Sequence, residues 1–305
     1  MQDNSSDLIA LFQNTLLHIY QSLSGKKWLA SFLITGVACY INYFTPFSLW
    51  NTKGGFIHST AWFTLLFTGF LLAGYWISSE NFSRSFCKGE LLFLLLTAAI
   101  LFALKITLPY YLLFRAAGLE FLGQKGSAPA WLGGFLWVGM SIAVMHRLRE
   151  GRWGLYWVHK KTRLYPYLLM LLLMTPLVAG AAASTSFSDM YPRVKELGWQ
   201  GYSASNWLNY ALFELCYLVD FLSIEFFFRG YMIATLSRFL GVQALLPVAF
   251  FYFSIHLGKP MAEATGSFFG ALVLGSVALQ TKSVWGGWIV HAGIALLMEL
   301  LATLF

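Results

Sequence analysis

The chain has 305 residues, 58% hydrophobic and only 11% charged, with 28 Phe, 15 Tyr, 12 Trp and a mean hydropathy of +0.64. Soluble domains carry about 25% charged residues, so a soluble fold, a disordered chain, a coiled coil and a disulfide-rich secreted domain are excluded, and the chain belongs in a bilayer. Against that background the net charge of +7 indicates cationic loops facing anionic headgroups, with membrane lipid and not nucleic acid as the partner.

Residues 7–23 (DLIALFQNTLLHIYQSL) predict an amphipathic helix on the membrane surface, within an N-terminal segment 1–27. That segment lacks a leading apolar core with a cleavage site, so no removable signal peptide is expected. Apolar windows of spanning length, or nearly so, follow at 28–47, 60–78, 91–112, 129–145, 165–184, 206–224, 241–256, 264–280 and 284–305. They predict an all-α polytopic transmembrane bundle of about 8–9 spans. The third window contains Lys105 and Pro109 and is expected to kink. Residues 28–184 form the N-terminal transmembrane helices of a single integral domain. The polar stretch 185–205 predicts a loop with a short interfacial helix, and 185–305 holds the irregular spans. Cys39, Cys87 and Cys216 have no metal-ligand spacing and give no disulfide framework.

Lysine and arginine set the expected orientation. The loop 146–163 carries Arg147, Arg149, Arg152, Lys160, Lys161 and Arg163, and is expected in the cytoplasm. Alternation puts Lys26, Lys27, Arg84 and Lys88 on the same side, against Lys53, Arg115, Lys125, Arg193 and Lys195 opposite. The expectation is a multi-pass protein of the cell membrane with a cytoplasmic N-terminus.

An ionisable group at the centre of a spanning helix costs about 2.5–3.5 kcal/mol and marks either function or a structural pair. Such groups concentrate after residue 206, as Glu214, Asp220, Glu225, Arg229, His256, His291 and Glu299. Glu225 and Arg229 are spaced i, i+4, which on an α-helix puts both on one face, where they can pair. His256 closes Tyr-Phe-Ser-Ile-His, and His291 closes Thr281-Lys-Ser-Val-Trp-Gly-Gly-Trp-Ile-Val-His. A carboxylate and two imidazoles from three successive apolar helices can activate a water and polarise a carbonyl. Glu225, His256 and His291 also form a three-ligand set suited to zinc, although no H-E-x-x-H spacing accompanies it.

These residues resemble the motifs of the CAAX prenyl protease and bacteriocin-processing (Abi-like) family of intramembrane endopeptidases: E-E-x-x-x-R on one helix, F-x-x-x-H on the next, and H-x-x-x-N after a T-G-S lead-in. Ile224-Glu225-Phe-Phe-Phe-Arg229 matches the first except at its leading Glu, Tyr252 to His256 matches the second with Tyr for Phe, and Thr281 to His291 matches the lead-in. The resemblance covers residues 185–305 and implies hydrolysis of a peptide entering from the bilayer, with no cofactor. It implies Glu225 as acid/base or its electrostatic partner, Arg229 as counter-ion, His256 positioning the water, and His291 polarising the scissile carbonyl.

Two departures bear on catalysis. Ile224 replaces the Glu that activates the water in the family, and Ala295 replaces the Asn beside the oxyanion. Losing one oxyanion donor costs about 10²–10³ in rate, and losing the general base about 10²–10⁴. Glu225 itself, Asp220, Glu263 or Glu299 could stand in as the carboxylate, with Glu263 and Glu299 expected to be solvated interfacial groups. The alternative is a catalytically impaired member acting as a peptide-binding scaffold or maturation factor. A small transporter is the third reading, set back by the lack of a paired repeat.

Overall fold

The computed structural model describes residues 4–50, 54–79, 89–159, 162–182, 185–197 and 207–304. Lys53, Arg84, Cys87, Lys88, Lys160, Lys161 and the stretch 198–206 lie outside the described residues. Every apolar window contains helix, and there is no strand among the described residues. The helices are α1 (Asn4–Leu23), α2 (Lys26–Phe44), α3 (Phe56–Ser78), α4 (Gly89–Thr107), α5 (Tyr110–Ala116), α6 (Ser127–Glu150) and α7 (Tyr165–Ala182). After the polar stretch come α8 (Trp207–Glu225), a π-helical segment (Phe226–Ile233), α9 (Ala234–Leu240), α10 (Leu245–Ser254), α11 (Met261–Thr281) and α12 (Trp285–Leu304).

Among the described residues, α3, α4, α6, α7, α11 and α12 are long and apolar enough to cross a membrane. The chain is an all-helical membrane protein. Four of the expected windows take other forms. The first holds α2, which is not among those six helices. The third is broken in two: α4 stops at Thr107 and α5 starts after Pro109, because proline supplies no N–H and biases its predecessor to extended backbone. The window 241–256 resolves into a 3₁₀ turn, Gly241–Ala244, and the 10-residue α10, whose length of about 15 Å falls short of a bilayer core. α8 has spanning length but carries Glu214, Asp220 and Glu225. The polar stretch begins with one helical turn, Thr185–Ser188, and a 3₁₀ segment, Arg193–Leu197.

The chain divides into two compact units, each gathering segments from both halves of the sequence. The first comprises Met1–Leu104, Tyr156–Lys160 and Phe228–Ser283. Its centre is α10, buried along its whole length and packed on α3 and α11. Gly74 permits the close approach, since a Cβ there would collide with the backbone of Pro247. Around it Phe67, Phe102, Phe228 and Phe251 interlock with ring centroids 5.1–5.9 Å apart, mostly edge to face. Such pairs contribute about 0.5–1.5 kcal/mol each beyond their buried area, which matters where lipid tails compete equally well for apolar surface. α1 lies along α11 with polar contacts: His18 Nδ1 is 2.9 Å from Ser276 Oγ, and Gln280 donates to Thr15. Leu16, Leu17 and Tyr20 stay exposed on its other side, preserving its amphipathic character.

The second unit comprises Lys105–Leu155, Lys161–Phe227 and Val284–Phe305. Here α8 packs on α6 and on α12, and α7 packs on α12. Trp131 of α6 stacks on Tyr217 of α8 at 4.6 Å and meets Phe213 edge-on. Gly286 and Gly293 of α12 admit the side chains of Tyr167 and Leu171 from α7, into which any Cβ would run. Lys105 reaches Asp220 of α8 at 2.7 Å, with side-chain exposures of 9% and 14%.

Candidate active site

The four candidate residues fall in two pairs, one in each unit. In the second unit, α8 ends on Glu225, whose side chain is completely buried. His291, two turns into α12, brings Nδ1 to 3.1 Å from Glu225 Oε1. The ring of Phe221, one turn before Glu225, lies 4.7 Å from the imidazole, and Trp288 donates its indole N–H to the Leu218 carbonyl at 3.1 Å. The positions 218, 221 and 225 line one face of α8, and 288 and 291 line the facing side of α12.

Gly287 makes that carboxylate site possible. A Cβ at 287 would overlap Oε2 of Glu225, so only glycine leaves α12 close enough to α8. A carboxylate accepts, so the His291 nitrogen facing it carries the proton and Nε2 is the basic nitrogen of the neutral ring. Glu225 is out of water, whereas the His291 side chain is 15% exposed. The imidazole is therefore the member of the pair that a substrate can reach.

In the first unit, Arg229 is 1% exposed and its guanidinium carbon sits 4.6 Å from the centroid of Tyr252. A desolvated cation over a tyrosine face is stabilised by about 2 kcal/mol or more. The same ring lies 4.6 Å from His256, and His256 Nδ1 is 2.8 Å from the Tyr252 carbonyl oxygen. A carbonyl only accepts, so Nδ1 of His256 donates and Nε2 is again the basic nitrogen. Tyr252, which replaces the Phe of the second motif, thus touches both functional groups of this unit.

One local expectation is corrected, and one segment takes another helical form: Phe226–Ile233, which follows Glu225 and contains Arg229, is π-helical. Its i→i+5 bonding adds a residue to the turn, a distortion frequent at functional sites. His256 stands past the end of α10, in a turn rather than on the helix. The helix closes early because Ser254 Oγ bonds the Phe251 carbonyl at 2.7 Å and His256 N–H takes the Phe253 carbonyl at 2.9 Å, ahead of Gly258 and Pro260.

The alternative carboxylates have other partners. Asp220 is held by Lys105 and by Ser223 Oγ, at 2.7 and 3.1 Å. Glu263 lies in the first turn of α11, 3.4 Å from Lys259 and 23% exposed, in keeping with an interfacial group. Glu299 departs from the solvated state expected of it: it is 8% exposed and accepts the Arg193 backbone N–H at 2.8 Å. The polar stretch folds back on α12 there and removes it from water. Ile224 and Ala295 are both buried. Among the described residues, no group of three or more His, Cys, Asp and Glu side chains is placed to hold a metal ion.

Gly287 and Tyr252 are the site residues that motif reading passed over. Gly287 had a signal in the pair Gly286-Gly287 inside an otherwise bulky apolar helix. Tyr252 had only its place in the second motif.

Residues 192–297, roughly a third of the chain, match the family model for type II CAAX prenyl endopeptidase Rce1-like proteins. The match lies within the stretch whose motifs carry the resemblance, and it contains Glu225, Arg229, His256 and His291. No curated protein and no solved structure gives a significant match to the chain.

Proposed function

With an Rce1-like domain at residues 192–297 of a membrane protein, we propose that the chain is an intramembrane endopeptidase whose working base is His291, oriented by Glu225. The observation that carries this reading is the 3.1 Å contact between His291 Nδ1 and the wholly buried Glu225 carboxylate. A carboxylate on one imidazole nitrogen fixes the tautomer and stabilises the imidazolium that forms when the other takes a proton. Nε2 of His291 removes a proton from water, the oxygen attacks the peptide carbonyl, and the proton passes to the leaving amine. Of the roles expected of Glu225, that of electrostatic partner fits this geometry. It also accounts for Ile224: a base on α12 makes a second glutamate on α8 dispensable.

The motif resemblance implies Arg229 as a counter-ion and His256 as the residue that positions the water. With Nδ1 committed to the Tyr252 carbonyl, His256 has Nε2 for the water or, when protonated, for the oxyanion. The substrate is a peptide that enters from the bilayer, and a prenylated C-terminus is its first candidate because of the family description. The N-terminus and the loop 146–163 face the cytoplasm of the cell membrane in this reading, no cofactor takes part, and the partners are lipid and peptide.

The test uses the purified full chain in liposomes with a fluorescence-quenched peptide, offered with and without a farnesyl group on its cysteine. Cleavage is expected from the wild type and is expected to fall about 10²–10⁴-fold in Glu225→Gln, His291→Ala and His256→Ala, at unchanged expression. Full activity in all three variants sinks the reading. Chelators are expected to leave the rate unchanged; a loss restored by zinc would favour the set Glu225, His256, His291 as ligands instead.

The second reading, a peptide-binding scaffold, draws on the apolar Ile224 and Ala295 where the family has Glu and Asn. It predicts that the same peptide is retained by the liposomes and recovered uncut.

A further inference from the structure

The turn that carries His256 is bracketed from outside the Rce1-like domain. Asn42, at the end of α2 and 9% exposed, donates its amide N–H to the Leu257 carbonyl at 2.8 Å. Its amide oxygen accepts the Leu49 backbone N–H at 2.8 Å and lies 3.3 Å from Ser48 Oγ. One side chain thus ties the residue after His256 to the loop following α2. Tyr43 donates its hydroxyl to the Lys259 carbonyl at 2.7 Å. Trp50 lies so close to Gly258 that any Cβ there would collide with the indole, and Trp62 of α3 fixes the loop by donating to the Leu49 carbonyl at 2.9 Å.

Residues 255–260 need such partners. The helix has ended at Ser254 and α11 starts only at Met261, so the carbonyls of Leu257 and Lys259 lie in the turn between two helices, outside both helical ladders. In an apolar surrounding an unmet carbonyl is costly, and the α2–α3 hairpin supplies the donors. Its residues, 42–50 and 62, precede the matched domain by well over a hundred positions.

We propose that Asn42 and Tyr43 are positioning residues for His256: they hold the 255–260 turn so that Nδ1 stays on the Tyr252 carbonyl and Nε2 keeps one direction. This gives the α2–α3 hairpin a task in catalysis, and it rests on the reading of His256 as a catalytic group. Misplacing a catalytic group by about 1 Å can cost 10²-fold in rate, and losing an orienting hydrogen bond typically costs about 10–100-fold.

The experiment pairs kinetics with a readout that needs no activity. In the full chain, Asn42→Ala and Tyr43→Phe are compared with Tyr40→Phe, a control on the exposed face of the same helix. On the quenched peptide, kcat is expected to fall about 10–100-fold in Asn42→Ala and less in Tyr43→Phe, with KM near wild type and the control unaffected. In parallel, ¹⁵N spectra of histidine-labelled protein, with His256 assigned by its own substitution among the six histidines, report its tautomer. The wild type is expected as the Nδ1–H form and both variants as a mixture.

If His256 changes tautomer in the variants while the wild type cleaves no peptide, the bracket stands and the protease reading fails. If His256 resonances are unchanged in the variants, the bracket is overturned whatever the activity. A kcat loss with an unchanged tautomer overturns it as well, because the loss then arises elsewhere. Should Asn42→Ala not fold, Tyr43→Phe, which removes one oxygen, carries the test.

Discussion

Glu225 and His291 meet across α8 and α12 with Oε1 and Nδ1 3.1 Å apart, the carboxylate fully buried and the imidazole partly exposed. The asymmetry is what the proposed reading uses: in it the buried member fixes charge and tautomer, and the accessible one exchanges protons. Two further contacts lock the relative rotation of these helices, the Trp288 indole on the Leu218 carbonyl and the Phe221 ring against His291. A pair held at three levels along two helices is preorganised, so little reorganisation is left for the reaction itself.

Gly287→Ala tests that packing directly. The added methyl overlaps the Glu225 carboxylate, which is the far end of a flexible side chain and can swing aside. The shift takes it off His291 Nδ1. Cleavage is expected to fall by about 10²-fold, while unfolding stability drops by no more than the roughly 1–3 kcal/mol of an overpacked core. Equal losses in activity and in folded fraction would show that the glycine serves packing alone.

Lys105 and Asp220 form a different kind of contact, a buried ion pair at 2.7 Å. Gly134 leaves room for the lysine stem, and Ser223 Oγ adds a hydrogen bond to the aspartate. Removing one partner strands a charge, so Asp220→Ala is expected to lose about 3–5 kcal/mol, whereas Lys105→Met with Asp220→Leu is expected to recover most of it. Denaturant titration in detergent micelles checks both. A double variant no better than the single would mean that the loss comes from packing and not from the stranded charge.

The contrast between these two carboxylates shows what the sequence could disclose. Composition and apolar windows located the long apolar helices among the described residues, because spanning segments announce themselves by length and hydropathy; α9, between two windows, was not among them. The motif order singled out Glu225, Arg229, His256 and His291. What stayed hidden depends on tertiary neighbours. Nothing local in Phe226–Ile233 marks a π-helical turn, and nothing near Asp220 names a lysine 115 positions earlier. The bracket on His256 is hidden for the same reason: Asn42 and Tyr43 are unremarkable polar residues at the end of an apolar helix until Leu257 and Lys259 are placed beside them. Glu299 was misjudged because its burial comes from the Arg193 segment, which no periodicity relates to α12.

Lys282 stands where the family lead-in T-G-S has glycine, and it adopts the conformation glycine would favour, with φ +54° as the cap of α11. Its ammonium lies 4.7 Å from the Trp157 ring centroid, and burial there pulls its pKa below the ordinary lysine value. A left-handed conformation costs a residue with a Cβ about 1–2 kcal/mol, and a partly exposed cation–π contact returns about 0.5–1. Lys282→Gly loses the contact and relieves the strain; Lys282→Ala loses the contact and keeps it. Unfolding measurements are expected to find the glycine variant more stable than the alanine variant by about 1–2 kcal/mol. The reverse order would mean that the left-handed backbone at 282 carries no strain for glycine to relieve.

His18 gives α1 a dependence on pH whose sign is fixed. Its Nδ1 lies 2.9 Å from Ser276 Oγ, and burial against α11 lowers its pKa from the ordinary 6.5. Above 6.5 the imidazole is neutral whether α1 is docked or released, and pH has no effect. As pH falls below 6.5, released α1 takes up a proton that docked α1 resists, so docking weakens until pH passes the lowered value, below which the loss is constant. Amide hydrogen exchange in α1 is therefore expected to speed up as pH falls below 6.5, once corrected for the intrinsic pH dependence of exchange, and His18→Gln is expected to flatten the change. An acid-induced loosening that survives in the Gln variant would assign the effect to a different group on α1 or α11.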